Sequence, residues 1–188
     1  MAPQNLVAER IRQLREARQL SVEQVAERGG LKSTQVAQIE EGGTPASLAP
    51  LLKIARGLGV RLGTLLDDVP QPGPALVRAG EAHRTVRLSG GKATGVEVHA
   101  LAASKQDRHM EPFLVDAHPA PAPGALLSSH EGEEFLYVLE GRLEVAYGKE
   151  TYVLGAGDSL YYDSIVPHDV HAAPGAEARV LAVVFTPC

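Results

Sequence analysis

Apolar residues recur at helical spacing through the first third of the chain. Leu6, Val7, Ile11, Leu14 and Ala17 mark one face of a first helix. Ser21, with Gln24 three residues on, reads as a capping box, in which the hydroxyl takes an amide of the new helix and the glutamine reaches back. It opens a second helix that turns Val22, Val25 and Ala26 inward and breaks at Gly29-Gly30. A third helix begins near Ser33, carries Val36, Ala37 and Ile39, and stops at Gly42-Gly43, with Pro45 opening the next section. Leu48, Leu51, Leu52, Ile54, Ala55 and Leu58 mark a fourth helix ended by Gly59, and Leu62 to Leu66 supply a short fifth. Val69-Pro70-Gln71-Pro72-Gly73-Pro74 has few backbone donors and cannot continue a helix, so it reads as a stiff linker. The division expected is a helical domain over 1–68, a linker over 69–75 and a second domain over 76–188.

Beyond the linker the period falls to two. Ala75 to Arg78, Arg84 to Leu88, Val96 to Leu101 and Glu111 to Asp116 read as short strands, with Gly90-Gly91 between two of them and a Pro/Ala-rich loop over Ala117 to Gly124. Phe135-Leu136-Tyr137-Val138-Leu139 is apolar at every position, so both faces of that strand are expected to be covered before it ends on a glycine turn at Gly141. One face would line an interior, the other would meet a second sheet or a partner subunit. Leu143 to Tyr147 turns at Gly148-Lys149 into Thr151 to Leu154, Gly155 to Asp158 turns into Ser159 to Tyr162, and Val180 to Phe185 closes the sheet. The fold class is therefore α + β in two domains, all-α followed by an all-β barrel or sandwich.

Composition narrows the setting. The only cysteine is Cys188, so no disulfide forms within the chain, which suits a reducing compartment. No stretch approaches membrane-spanning length and no basic start precedes an apolar run, so a soluble cytoplasmic protein with no membrane partner is expected. The chain carries −5 overall; residues 1–68 hold nine Lys/Arg against eight acids, a net of +1, leaving −6 for the remainder. Neither a glycine-rich phosphate loop nor a nucleophile elbow is present.

The run Leu20-Ser21, Ala26, Gly30-Leu31-Lys32-Ser33, Ile39-Glu40 and Gly42, then Leu51-Leu52-Lys53-Ile54-Ala55, resembles the Xre/lambda-repressor helix-turn-helix family over the whole first segment. The resemblance implies a double-stranded DNA operator as partner. It implies that Lys32, Ser33, Thr34, Gln35 and Gln38 lie at the exposed front of the recognition helix, where a glutamine bonds an adenine edge and hydroxyls meet bases or phosphates. Val22 stands where the family often has a DNA-contacting glutamine, and Glu41 where a basic or amide residue is usual. A nearly neutral reading head has little non-specific attraction for DNA, so a homodimer is expected.

Leu114 to Phe185 resembles the cupin barrel, a double-stranded β-helix or jelly roll. His130, Glu134 and Gly141 stand at the spacing of that family's first motif, with Ser128 where its first histidine belongs. Gly157, Pro167 and His168 match the second motif, with Gly155 in place of its usual proline. The resemblance implies metal ligation by His130, Glu134 and His168. Two imidazoles and one carboxylate suit a divalent iron, zinc, manganese or nickel ion and leave coordination positions open. His171 has the other strand parity and is expected to be exposed; His83, His99, His109 and His118 match no ligand spacing, and Tyr137, Tyr161 and Tyr162 read as core or interface residues.

Three functions follow. The first is a transcriptional regulator whose cupin domain senses a small-molecule effector or a metal, with no catalytic residue. The second is a mononuclear non-haem iron enzyme, because the same architecture and the phrase Pro112-Phe113-Leu114-Val115-Asp116 resemble the hydroxypropylphosphonate epoxidases. Against it, Val96 and Val98 stand where that family presents tyrosines to the phosphonate, and Gln19 where it has a phosphonate-binding lysine. The third is a metal-free sensor of an apolar ligand.

Overall fold

The structure, a computed structural model, describes residues 3–43, 48–66, 74–88, 96–105, 108–119 and 127–187. Its five helices are α1 (Pro3–Ala17), α2 (Val22–Gly29), α3 (Ser33–Glu40), α4 (Ala49–Leu58) and α5 (Leu62–Leu66). The capping box at Ser21 forms, with the Gln24 amide donating to the hydroxyl at 3.2 Å and the Ser21 amide donating to Gln24 Oε1 at 2.8 Å. Gly30 and Gly59 close α2 and α4 with φ of 65° and 66°, the left-handed region that glycine enters without a Cβ clash. Ile11, Val25, Val36, Leu51, Ile54, Leu58, Leu62 and Leu65 are buried at the centre. Two other glycines let α2 and α4 touch backbone to backbone: a Cβ on Gly29 would lie 2.4 Å from the Lys53 carbonyl oxygen, and one on Gly57 2.4 Å from that of Val25. Among the described residues no helix is long and apolar enough to cross a membrane.

Sequence periodicity does not expose the ion pair that ties α1 to α3. Glu40, buried at the end of α3, accepts two bonds from Arg15, from Nε at 2.7 Å and from Nη2 at 2.9 Å. Arg12 donates to the Glu40 carbonyl at 2.9 Å.

Eight strands follow: β1 (His83–Leu88), β2 (Val96–Ala100), β3 (Met110–Ala117), β4 (Glu133–Tyr147), β5 (Glu150–Gly155), β6 (Ser159–Asp163), β7 (His168–Ala172) and β8 (Ala178–Phe185). All pairings between them are antiparallel, in the order β1-β2-β3-β8-β4-β5, with β6 and β7 also on β4. The first half of β4 pairs with β6 and β8, and the second half with β5 and β7, so this one strand carries the chain between the two walls of the barrel. The fold is α + β in two domains, helix-turn-helix followed by cupin barrel.

Four details depart from the periodic reading. Gly141 is a bend inside β4, not its end: at φ 79° it passes so close to the next strand that a Cβ would lie 1.9 Å from the Glu177 carbonyl oxygen. Ala75 to Arg78 joins no strand; its alternation leaves Leu76 70% exposed, and a turn at Gly80 follows. His168 to Ala172 does form a strand, paired with β4 and buried on both faces. His171 is consequently buried rather than exposed, between Asp169 and Glu144, each with a carboxylate oxygen 3.4 Å from an imidazole nitrogen. Most of the linker, Pro45, Gly90-Gly91, most of the Pro/Ala-rich loop and Cys188 lie outside the described residues.

The helical head sits on the barrel. Arg61 Nη1 donates to the Arg108 carbonyl at 2.9 Å, and the Gly63 amide donates to the buried Glu111 carboxylate at 3.2 Å. Glu111 also pairs with Arg108 at 2.6 Å. Arg56 and Glu131 add an exposed pair at 2.8 Å.

Candidate functional site

Glu134 enters the barrel from the start of β4, on the same face as Leu136 and Val138. His130 is not on that strand. It precedes a bend at Gly132, whose φ of 113° lets the backbone run against β8, where a Cβ would lie 1.9 Å from the Phe185 carbonyl oxygen. The His130 amide donates to the Ser164 carbonyl at 3.0 Å, which fixes the approach. His168 opens β7 and exchanges two backbone hydrogen bonds with Ser128, at 2.7 and 2.9 Å.

The three side chains converge. His130 Nε2 lies 2.8 Å and His168 Nε2 3.4 Å from the same Glu134 oxygen, Oε1, and one ligand atom from each residue lies within 4.8 Å of the others. Each imidazole is oriented from behind: Nδ1 of His130 donates to the Glu131 carbonyl at 3.1 Å and Nδ1 of His168 to the Val166 carbonyl at 2.8 Å. A carbonyl only accepts, so each Nδ1 carries a proton; Nε2 donates to Glu134 Oε1 while the imidazole is charged, and on losing that proton it turns a lone pair to the common centre. Burial alone would raise the Glu134 carboxyl; hydrogen bonds and charge from His130 and His168 outweigh it and hold the group below the ordinary carboxylate range. Burial likewise works against the charged form of His168, yet its bond to Glu134 raises that imidazole above its ordinary value. Two aligned imidazole nitrogens and an ionised carboxylate, all buried, fit a divalent metal, which His130, Glu134 and His168 would hold. Bound there, such an ion would supply Lewis-acid or one-electron chemistry with coordination positions left for a small molecule.

Two further residues belong to the site. Tyr162, expected only in a core or interface, donates to Glu134 Oε2 at 2.8 Å, and burial beside that carboxylate pushes its phenol well above the usual range. Ser164 donates to Glu134 Oε1 at 3.3 Å. Both sit beyond the reach of motif spacing, although the cross-strand pairing of Glu134 with Tyr162 would place the tyrosine there once the register is known. His99 and His118 pair instead with Asp116 and Glu177, away from the site.

A cavity of about 90 Å³ opens on the site. Val96, Val98, Phe113, Val115, Leu136 and Val184 supply much of its wall and Ser128, Glu134 and His168 its polar part, and among the described residues no lysine or arginine lines it.

In the helical domain, Lys32, Thr34, Gln35 and Gln38 are exposed and Ser33 is half-buried. Thr34 and Gln38, four residues apart, share a helix face. Gln35 Oε1 accepts the Lys32 amide at 3.2 Å and so caps its own helix. The Gln38 side chain makes no hydrogen bond among the described residues.

The sequence matches two family models, Helix-turn-helix over residues 11–65 and Cupin domain over residues 117–184. The chain is a helix-turn-helix–cupin protein. This helix-turn-helix–cupin chain is 22% identical over 173 residues to the HTH-type transcriptional regulator PuuR of Escherichia coli K12, covering 92% of itself and 91% of that protein. It is 29% identical over 165 residues to the (S)-2-hydroxypropylphosphonic acid epoxidase of Streptomyces wedmorensis, covering 80% of each. Among solved structures, an HTH_3-family transcriptional regulator from Vibrio cholerae superposes with a TM-score of 0.63 at 23% identity, over 98% of this chain and 97% of that one, a likeness of fold. The iron(II) form of HppE gives a TM-score of 0.53 at 25% identity, over 98% of this chain and all of that one (100%).

Proposed function

We propose that this helix-turn-helix–cupin protein is a sequence-specific, DNA-binding transcriptional regulator whose barrel holds a divalent metal at His130, Glu134 and His168 and senses a small molecule. The observation that carries the reading is the division of labour within one head. α3 presents Thr34 and an unengaged Gln38 to solvent, while α4 and α5 rest on the barrel that contains the buried cluster. A regulator, PuuR, is similar over 92% of the chain, which supports the same reading. Iron is the first candidate metal, because the donor set is that of a facial triad and the HppE likeness is to an iron(II) form. A cytoplasmic location accords with the role.

The direct test is binding to the gene's own upstream DNA against random duplex at low salt; equal affinity for both would sink the regulator reading. Gln38→Ala is expected to weaken binding by about 1–3 kcal/mol through one base pair, and to relax preference at that pair alone. A loss spread evenly over all sequences would instead assign Gln38 to the phosphates.

The reading includes a homodimer joined through the barrel. The outer face across β3, β8, β4 and β6 leaves Met110, Phe185, Tyr137, Leu139 and Tyr161 exposed, an apolar surface of the kind that a second copy covers. Sedimentation at micromolar concentration is expected to give a dimer, and Leu139→Lys with Tyr161→Lys a monomer. A wild-type monomer under those conditions refutes the dimer.

A second reading, a mononuclear iron enzyme, is favoured by the epoxidase relative and by the triad itself. The cavity argues against a phosphonate: Val96 and Val98 are in its wall, and among the described residues no lysine or arginine faces it. Oxygen uptake by iron-loaded protein given (S)-2-hydroxypropylphosphonate would revive that reading.

A further inference from the structure

One residue in the wall of the barrel cavity does not belong to the barrel. Leu48, at the start of α4 in the helical head, lines the same space as Val98, Val115, Val184 and the Glu134–His168 wall. It is half-buried there. Its carbonyl accepts the Leu51 and Leu52 amides at 3.0 and 3.1 Å, which makes it part of the first turn of α4. α4 in turn is locked to α2 by the backbone contacts at Gly29 and Gly57, so a shift of the α4 N-terminus at Leu48 passes to the unit that carries the recognition helix. The far end of the head is held differently, by Gly63 on the buried Glu111 and by Arg61 on the Arg108 carbonyl. The head is thus pinned at α5 and rests on the cavity at Leu48.

The lining also selects a ligand. Its walls are aliphatic and aromatic, its polar groups stand together at Ser128, Glu134 and His168, and the Ser128 hydroxyl has no hydrogen-bond partner among the described residues. Among the described residues neither lysine nor arginine stands in the lining, so a dianionic headgroup has no side-chain cation there and depends on the metal alone, whereas a single oxygen finds the Ser128 hydroxyl as well. Size follows from comparison: an apolar cavity of about 150 Å³ holds benzene, so this one, at about 90 Å³ with Leu48 in its wall, admits about four heavy atoms. A larger molecule gains room by moving the walls, Leu48 among them.

We propose that the cavity takes a small, uncharged, mainly apolar molecule with one oxygen donor, and that Leu48 is the lid through which its occupancy reaches the DNA-reading head. This deepens the regulator reading and rests on it. A ligand that must lift Leu48 binds one arrangement of the head better than the other, and that difference is the coupling between the two sites.

The test uses the full chain as purified, with methyl-labelled leucine and valine, followed by NMR and with the Leu48 methyls assigned from their loss in Leu48→Ala. Isoamyl alcohol, larger than the closed cavity, is expected to give saturable shifts at Val98, Val115, Val184 and Leu48. Isopropanol is expected to shift the valines and leave Leu48 in place, and propylphosphonate, with only the metal to neutralise it, to bind more weakly than isoamyl alcohol. Saturating isoamyl alcohol should change affinity for upstream DNA about fivefold or more in the wild type and leave Leu48→Ala unchanged. Leu48→Ala, with nothing to displace, should bind the alcohol several-fold more tightly. Propylphosphonate binding more tightly than isoamyl alcohol, or no saturable alcohol binding, overturns the ligand class. Leu48 methyls that stay fixed at saturation, or a DNA response that persists in Leu48→Ala, overturn the lid, as does a wild-type DNA affinity that the alcohol leaves unchanged. Failure of the regulator reading looks different: the ligand-free protein shows no preference for its upstream DNA while the valine shifts still saturate.

Discussion

Glu134→Ala is expected to abolish metal uptake, lowering affinity by at least about 100-fold, with the barrel still folded. Glu134 is the one anionic ligand, and its Oε1 lies within 3.4 Å of both Nε2 atoms. Losing it removes a donor and the charge that balances a dication, and even a group acting behind a ligand is worth about 10–100-fold. Tyr162 and Ser164 lose an acceptor, so some stability goes too; circular dichroism checks that the fold survives, and a competitive metal titration reads the affinity. Uptake should strengthen as pH rises through the raised value of His168, since metal binds the neutral imidazole and displaces its proton. Ser128→His, beside His168 on the bridge that joins them, is expected to tighten binding by adding a fourth ligand. If Glu134→Ala and wild type take up equal metal, the cluster is polar packing and the barrel is a ligand pocket alone.

Glu40→Ala is expected to destabilise the helical head by about 2–3 kcal/mol, because it takes two charge-assisted bonds from the Arg15 guanidinium and leaves it the Leu20 carbonyl and the exposed Glu16. The carboxylate receives two of its bonds from Arg15 and links α1 to the end of α3, so the recognition helix loses its fixed seat and DNA affinity should fall with stability. Much of the cost comes from a guanidinium left short of acceptors, which a second variant isolates. Arg15→Met with Glu40→Leu removes both charges, keeps volume, and is expected to recover most of the loss. Urea unfolding followed by helical circular dichroism measures both. A single-mutant loss below about 1 kcal/mol would mean that the pair is solvated and contributes no more than a surface salt bridge.

Between these sites the sequence is unevenly informative. Helix starts and stops are legible because they are local: Ser21 and Gln24 are three residues apart, and Gly30 and Gly59 end their helices where the periodicity stops. The triad is visible as a motif spacing, although His130 and Glu134 do not share a strand. His130 reaches Glu134 across the bend at Gly132, where β4 has not yet begun. Gly141 shows the opposite failure, a glycine that looks like a turn and serves as the bend where β4 changes wall.

Local chemistry along the chain therefore determined the element types, the two-domain α + β order, most of the caps and the three residues that fit a metal. Element types and caps depend on neighbours within a few positions, where period and side-chain reach are set by backbone geometry, and the triad was legible through the two motif spacings around Glu134 and His168. Only the tertiary structure decided which distant polar groups meet. Tyr162 finds Glu134 across 28 residues, Arg15 finds Glu40 across 25, and His171 is buried because β7 pairs with β4. Leu48 enters a cavity whose other walls come from strands far along the chain. Such meetings depend on strand register and domain docking, which arise from the sum of many weak apolar contacts and leave no period in the sequence.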